Sequence, residues 1–270
     1  GGKVVKIDRL EWLYIPDNNT ALSALTAGEV DYFEAPPLEY IQVLKKNPDI
    51  VVQNIDMLGV QGLIKPNHLH PPFNHPKARQ ALFYLVDQEE FMGAVAGDPD
   101  LYLKYCGTFF MCGSENETSA GLEGLRKPNL EKARQLFKEA GYNGESIVVL
   151  QPTDRPQYNA AIMVLIQQLR KAGLNVQPLA ADWSTITSIR AKKDPPSKGG
   201  WHLFPATHGS AETATPLGNT WFNSRCEHAN PGWPCDPTLM DLVDKWARAA
   251  DKKEQRRLLD DIQIRALESV

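Results

Sequence analysis

The sequence predicts an α/β fold, in which helices pack against a central β-sheet. The first observation is alternation: segments with helical spacing of apolar residues alternate with short segments rich in β-branched residues, most clearly between residues 129 and 179. The second is the placement of proline and glycine, since Pro156 begins one predicted helix and Gly173 ends it. The third is composition, because 270 residues that are 42% hydrophobic suffice for one large or two small cores.

The first 58 residues are predicted to alternate strands with helices. A capped helix follows the first strand, with Asn18, Asn19 or Thr20 accepting from its free N–H groups and Gly28 ending it in a left-handed conformation. A second helix begins at a proline pair and stops at Asn47-Pro48. The strands predicted from β-branched and aromatic content cover residues 3–15, 30–33 and 50–58.

The remaining chain is predicted to hold most of the regular structure. Helical spacing is found at residues 75–87, 89–97, 129–141, 156–172 and 182–193, and in two amphipathic helices that close the chain. Strands are predicted at residues 146–151, 174–179 and 200–207. Residues 98–129 show no sustained period, so this segment is interpreted as either a functional loop or a packed crossover.

Charge and hydropathy exclude several classes of protein. The net charge is -4 and the basic residues are scattered, so no basic patch indicates a nucleic-acid partner. No apolar run approaches the roughly 20 residues that cross a bilayer. The first ten residues lack the charged start and apolar stretch of a signal peptide, so we expect either a cytosolic protein or an exported one from which a targeting segment has been removed.

Catalytic motifs are sparse. Neither glycine-rich phosphate-binding pattern occurs, and Ser210 stands beside a histidine without the G-x-S-x-G elbow of a serine hydrolase. Three histidines lie close together in "HLHPPFNH", namely His68, His70 and His75. They are interpreted as part of an exposed loop held by prolines, with the metal centre of a metal-dependent hydrolase as the alternative.

The four cysteines fall into two close pairs, Cys106 with Cys112 and Cys226 with Cys235. An even, locally paired count favours disulfides in an exported protein. Free buried thiols are one alternative, and a zinc site is the other, because His228 lies between the second pair. Glu227 or Asp236 would complete that zinc site.

Four segments, in this order, resemble the motifs of one protein family. They are "ALSALTAGEVDYFEAPPLEYIQVLKKNPDI", "NHPKARQALFYLVDQEEF", "NLEKARQLFKEAGY" and "LIQQLRKAGLNVQPLAADWSTI". The family is that of the family 5 extracellular solute-binding proteins of bacterial ABC importers, the class of peptide- and nickel-binding proteins. One departure is Ala78, which stands where the family usually has valine. The cysteine-bounded loop from Cys226 to Cys235 is also similar to a loop of the dipeptide-binding members.

The resemblance implies a fold and a function. It implies a periplasmic-binding-protein type II-like lobe with a mixed central sheet flanked by helices, with residues 1–270 as the second lobe and the first lobe absent. It further implies a periplasmic, monomeric, non-enzymatic protein without cofactor or bound metal. That protein would enclose a small polar or peptide-like solute between two lobes and deliver it to ABC permease membrane subunits. A periplasmic signalling or chaperone-like protein of the same fold is the alternative within this class.

The resemblance also implies candidate ligand-binding residues. Arg155, at a strand-to-helix turn, occupies the position at which dipeptide-binding members use an arginine for the ligand carboxylate, onto which a guanidinium forks with two parallel bonds. Residues 208–216 lack the aspartate that holds a peptide's α-ammonium, so Glu212 is the candidate substitute.

Residues around the missing aspartate widen the range of expected ligands. A sugar, an opine-like solute or another polar ligand would bind to hydroxyl, imidazole and backbone groups from four consecutive residues: Thr207, His208, Gly209 and Ser210. Three tryptophans are candidates for the walls of the cleft, although core packing is the favoured role of each: Trp183, Trp201 and Trp221.

Overall fold

The computed structural model describes residue 4 and residues 6–269. The chain divides into two compact units, Gly1–Ile55 and Asp56–Val270. The larger unit holds the sheet and most of the helices.

The first unit contains helices α1 (Asn18–Ala27) and α2 (Ile41–Leu44), the latter preceded by a 3-10 turn. The cap of α1 is Asp17, whose carboxylate accepts from the Thr20 N–H at 2.8 Å, so the expected caps Asn18, Asn19 and Thr20 are wrong. The expected end at Gly28 is confirmed, with a φ of 73°.

The three strands predicted before residue 59 are wrong. The described residues of 3–15, 30–33 and 50–58 have no strand structure, and Lys3 and Val5 lie outside the described residues. A β-branched run becomes a strand only where a neighbouring segment completes its hydrogen-bond ladder, and the described residues of these three segments have no such ladder.

The second unit is built on a four-stranded mixed sheet, as predicted. The strands are β1 (Val60–Pro66), β2 (Ile147–Pro152), β3 (Val176–Ala181) and β4 (Leu203–Gly209), in the order β1-β4-β2-β3. Strand β4 is parallel to β2, which is parallel to β3, whereas β1 pairs antiparallel with β4. Strands β2, β3 and β4 were predicted with bounds shifted by up to three residues, and β1 was not predicted.

Helices flank this sheet, as expected for an α/β protein. They are α3 (Pro76–Leu85), α4 (Gln88–Ala96), α5 (Leu130–Glu139), α6 (Pro156–Lys171), α7 (Trp183–Arg190), α8 (Ser210–Thr213), α9 (Pro237–Arg248) and α10 (Lys252–Ser269). Among the described residues, no helix is apolar enough over sufficient length to cross a membrane.

The two faces of the sheet carry different cores. Side chains alternate along a strand, so Val149 of β2 packs with α3, α5 and α6 on one face, while Leu150 points to the other. That second face, here called the α7 face, packs Leu150, Ile186, Trp201, Phe204 and Trp233. A separate cluster joins α9 and α10 to Phe110 and Phe222. Phe110 belongs to the segment 98–129, which is therefore a packed crossover.

Both predicted disulfides are present, Cys106–Cys112 and Cys226–Cys235. The second closes a loop whose flanking residues, Arg225 and Cys235, form an isolated antiparallel bridge. Because each sulfur is bonded to another sulfur, the zinc site considered for Cys226, His228 and Cys235 is wrong.

Candidate functional site

The carboxyl ends of three parallel strands meet at one edge of the sheet. Arg155 follows β2, Trp183 follows β3, and Thr207 lies near the end of β4. In open α/β sheets, ligands bind in the crevice outside this edge, because the loops that leave parallel strands converge there. Three of the predicted site residues are therefore brought to one place.

No acid of the described residues neutralises the guanidinium of Arg155. Arg155 occupies the N-cap position of α6 without making a side-chain cap hydrogen bond. Its Cζ lies 5.9 Å from the centre of the Trp183 ring, and no ion pair of Arg155 occurs among the described residues. An exposed, unpaired guanidinium beside an aromatic ring is well suited to receive a carboxylate.

Three aromatic rings pack in a row beside Arg155 and are here called the aromatic platform: Tyr158, Trp183 and the buried Phe204. The Tyr158 and Trp183 rings stack with centroids 5.0 Å apart, and the Trp183 and Phe204 rings lie 6.1 Å apart. The Tyr158 hydroxyl shares a 2.7 Å hydrogen bond with Oγ1 of Thr207. The backbone N–H of Trp183 donates to the Asp154 carboxylate at 2.8 Å, which fixes the start of α7.

Trp201 does not form an open wall of this site. Its side chain is 0% exposed, and its Nε1–H donates to the Arg190 carbonyl at 3.1 Å. Its ring packs edge-on against that of Phe204, with ring centroids 6.1 Å apart, and thus supports the buried end of the aromatic platform. Trp201 is therefore removed from the candidate ligand-binding residues and takes the favoured role of core packing.

His208 is held by three neighbours. Its Nδ1 lies 2.8 Å from Oε2 of Glu212, its Nε2 lies 3.0 Å from Oγ1 of Thr220, and its ring meets Trp221 edge-on at 4.6 Å. Glu212 also accepts from the Gly209 N–H at 3.1 Å. The hydrogen bond from His208 holds the pKa of Glu212 below its usual value. Glu212 thus already orients His208, and an ammonium group would have to share this carboxylate.

Ser210 lies against an acid that the sequence did not indicate. Its hydroxyl is 2.9 and 2.8 Å from the two carboxylate oxygens of Asp56. The hydrogen bond from Ser210 is the main cause of the lowered pKa of Asp56. A carboxylate is therefore present at this end of β4, although it comes from a distant part of the sequence.

Two further cations lie on the α7 face, Lys65 of β1 and Arg190 of α7. The Nζ of Lys65 lies 5.2 Å from the centre of the Trp221 ring, and the Cζ of Arg190 lies 4.8 Å from that of Phe204. Burial, together with the positive charge of Arg190, lowers the pKa of Lys65 to about 8. The sequence did not indicate Lys65, because β1 was not predicted.

The three clustered histidines do not form a metal centre. Nδ1 of His75 accepts from the Lys77 N–H at 3.2 Å and caps α3, whereas Nε2 of His70 lies 3.1 Å from the Lys193 carbonyl. Burial lowers the pKa of His68 to about 3, so this ring is neutral. No group of three or more potential metal ligands occurs among residue 4 and residues 6–269. The alternative of a hydrolase metal centre at His68, His70 and His75 is therefore wrong.

Comparison with known proteins identifies a matching family and relatives. Residues 1–227 match the model of the bacterial extracellular solute-binding proteins, family 5 middle region. A probable peptide ABC transporter periplasmic-binding protein, y4tO of Sinorhizobium fredii, is 34% identical over 97% of this chain and 50% of its own length. The glutathione-binding protein GsiB of Escherichia coli strain K12 is 28% identical over 66% of this chain and 33% of its own length.

Solved structures share the fold. The periplasmic binding protein DppA from Helicobacter pylori, solved with the peptide STSA, superposes with a TM-score of 0.76 at 20% identity, over 94% of this chain and 48% of that one. The chain therefore has the fold of periplasmic binding proteins and spans about half the length of the relatives that it matches over nearly all of its residues.

Proposed function

The chain belongs to the family 5 bacterial extracellular solute-binding proteins, and on this basis we propose that it is part of the periplasmic solute-binding component of an ABC importer. The complete protein would enclose a small polar or peptide-like solute and deliver it to the permease subunits in the membrane. It would act as a monomer and without catalysis.

Residues 1–270 are proposed to be the second of two lobes. The chain spans 50% of the y4tO protein and 48% of the DppA chain, which supports this assignment. In such a protein the ligand would lie between the lobes, and closure would be selected by the difference in affinity between the open and closed states.

The single observation that carries the proposed function is the unpaired guanidinium of Arg155 beside the aromatic platform. The carboxylate of a peptide or of another organic acid would form two parallel bonds with Arg155. The Trp183 ring would contact the apolar part of the same solute. Thr207 and His208 supply polar groups at the adjacent strand end, which is the usual composition of a small-molecule site.

Isothermal titration calorimetry on the protein in its full natural length tests this function. The probes are dialanine, its C-terminal amide and glutathione, because they vary the carboxylate and the size of a peptide-like solute. We expect dialanine to bind at least tenfold more tightly than its amide. Equal affinities, or no binding of any of the three, would contradict the proposal.

A further inference from the structure

Lys65 and Arg190 approach each other from two different elements of the second unit. Lys65 lies opposite Phe204 in the antiparallel pairing of β1 with β4, and the Arg190 guanidinium lies over the ring of that phenylalanine. Arg190 also interacts electrostatically with Tyr158, so the two cations are continuous with the aromatic platform.

Among the described residues, no acid neutralises either cation. In the part of the chain that the structure describes, Lys65 and Arg190 form no ion pair, and the buried Nε of Arg190 has no hydrogen-bond partner. Lys65 instead lies over the Trp221 ring. Burial and mutual repulsion lower the pKa of Lys65, while burial lowers that of Arg190.

Such an arrangement is unfavourable unless a negative group joins it. Buried charges in proteins are normally paired, because the loss of hydration is not otherwise compensated. Two like charges side by side add repulsion to that loss. An oxyanion between them would reverse the repulsion and satisfy the free Arg190 N–H, which is the kind of function for which perturbed charges are retained in clefts.

We propose that Lys65 and Arg190 form a subsite for an oxyanion of the solute, namely a carboxylate additional to the one that Arg155 would hold. The solute would then be an acidic organic molecule with at least two carboxylates, such as a dipeptide with an acidic side chain. The assignment to the solute rests on the proposed function, whereas the anion site itself does not.

NMR of reductively ¹³C-methylated lysines tests the subsite directly, since methylation preserves the charge. The Lys65 signal is assigned by its absence in Lys65→Met. Acetate and inorganic phosphate are titrated against chloride at constant ionic strength. Lys193 is the matched control, because its Nζ also lies over an indole, 5.6 Å from the centre of the Trp233 ring, but the residue is exposed.

We expect acetate to shift the Lys65 signal to saturation, the Lys193 signal to stay unchanged, and Arg190→Gln to weaken the effect at least tenfold. If acetate shifts the Lys65 and Lys193 signals alike, the proposed subsite is wrong. Saturation by phosphate alone would overturn its assignment to a carboxylate.

Calorimetry with two dipeptides, on the protein in its full natural length, tests the role of the subsite in solute binding. Gly-Glu should bind at least tenfold more tightly than Gly-Gln, and Lys65→Met should abolish this difference. Equal affinities in the wild-type protein would overturn the assignment to the solute and leave the proposed function intact. If neither dipeptide binds while acetate saturates Lys65, the proposed function fails and the anion site stands.

Discussion

The phenol ring of Tyr158 stacks on the indole of Trp183, with centroids 5.0 Å apart and planes 15° apart. Tyr158 belongs to the first turn of α6 and Trp183 is the first residue of α7, so the stack joins the chain segments that follow β2 and β3. The hydrogen bond between the hydroxyls of Tyr158 and Thr207 adds β4 to this arrangement. A flat, fixed surface is thereby built across three strand ends.

Trp183→Ala should weaken the binding of dialanine by tenfold or more, because an aromatic wall contributes about 1 to 2 kcal/mol through burial and stacking. Calorimetry checks this. Trp12→Ala, at a tryptophan that is 81% exposed, is the control and should bind as the wild-type protein does. Tyr158→Phe keeps the stack and loses only the bond to Thr207, so its effect should be smaller. Unchanged affinity in Trp183→Ala would remove the platform from the site.

Arg155→Ala should weaken dialanine binding by about 2 kcal/mol or more, roughly thirtyfold, as for other charge-assisted pairs that are removed from water. Arg155→Lys should recover only part of this affinity, since an ammonium lacks the fork that matches a carboxylate. Arg256→Ala, on an exposed position of α10, serves as the control in the same titration. If a ligand binds Arg155→Ala with the affinity that it has for the wild-type protein, that ligand does not use the Arg155 guanidinium.

The order of strands and helices between α5 and α7 was predictable because its signals are local. Apolar spacing, Pro156 and Gly173 act within a few residues of one another. Strand β1 was missed because its partner, β4, lies about 140 residues away and because Gly62 and Lys65 weaken its pattern. The strands predicted before residue 59 are wrong for the converse reason. Their composition favours strands, but no neighbouring strand pairs with their described residues.

The candidate site shows the same limit. Arg155, Trp183 and Thr207 were named as candidates through the resemblance to the solute-binding family, and the structure places each of them at or just after the end of a strand. Lys65 beside Arg190 and Asp56 beside Ser210 were not found, because tertiary structure alone joins them. The order of residues in a sequence does not indicate which charge will remain unpaired after folding.

Lys65→Met should stabilise the unliganded protein at pH 7 by about 1 kcal/mol, because it removes a half-buried cation that has no acidic partner among the described residues. The folded-state pKa of Lys65, about 8, lies below the ordinary value of 10.5, so the penalty is complete below pH 8. It decreases as the pH rises from 8 to 10.5, where the folded protein has released a proton that the unfolded chain retains. Urea denaturation at several pH values checks this.

Lys193→Met is the control for the predicted effect of Lys65→Met on stability. Lys193 is exposed, so its substitution should change the free energy of unfolding by less than about 0.5 kcal/mol. If Lys65→Met instead destabilises the protein, and by the same amount at every pH, burial of the Lys65 charge does not lower the stability of the folded protein.

His202 should make the protein sensitive to acid. Its Nδ1 accepts from the Val148 N–H at 2.8 Å and its Nε2 lies 3.0 Å from the Pro71 carbonyl, which fits a neutral ring. Burial lowers its pKa to about 4 from the ordinary 6.5. The unfolded chain therefore binds a proton between pH 6.5 and 4 that the folded protein does not, and stability falls by about 2 to 3 kcal/mol over this range.

His202→Gln isolates that contribution. The variant should be less stable than the wild-type protein at pH 7, and the difference should narrow as the pH falls from 6.5 to 4. Urea denaturation curves of the two proteins provide the comparison, and the buried His68 affects both alike. Two stability profiles that stay parallel would show that His202 is not the titrating group.

The disulfide Cys226–Cys235 should stabilise a surface segment rather than the sheet. Within its loop, the Cys226 N–H donates to the Pro234 carbonyl at 3.1 Å, and Trp233 packs into the core of the α7 face. Immediately after the loop, Asp236 caps α9 and pairs with Arg265 at 2.8 Å, so the chain is anchored independently there. Loss of the disulfide is therefore expected to release the loop while α9 stays in place.

The double variant Cys226→Ser/Cys235→Ser should accordingly lose about 2 to 3 kcal/mol of stability, the amount expected from closing a loop of about ten residues. Hydrogen exchange should accelerate at residues 224–236 while the amides of β2 keep their protection, because β2 is buried between its neighbours in the sheet. Cys106→Ser/Cys112→Ser is the matched control and should leave exchange at residues 224–236 unchanged. In the wild-type protein, denaturing but non-reducing conditions should yield no reactive thiols from these four residues. Four reactive thiols would exclude both disulfides, and uniform acceleration across β2 would show that the loop stabilises the whole unit.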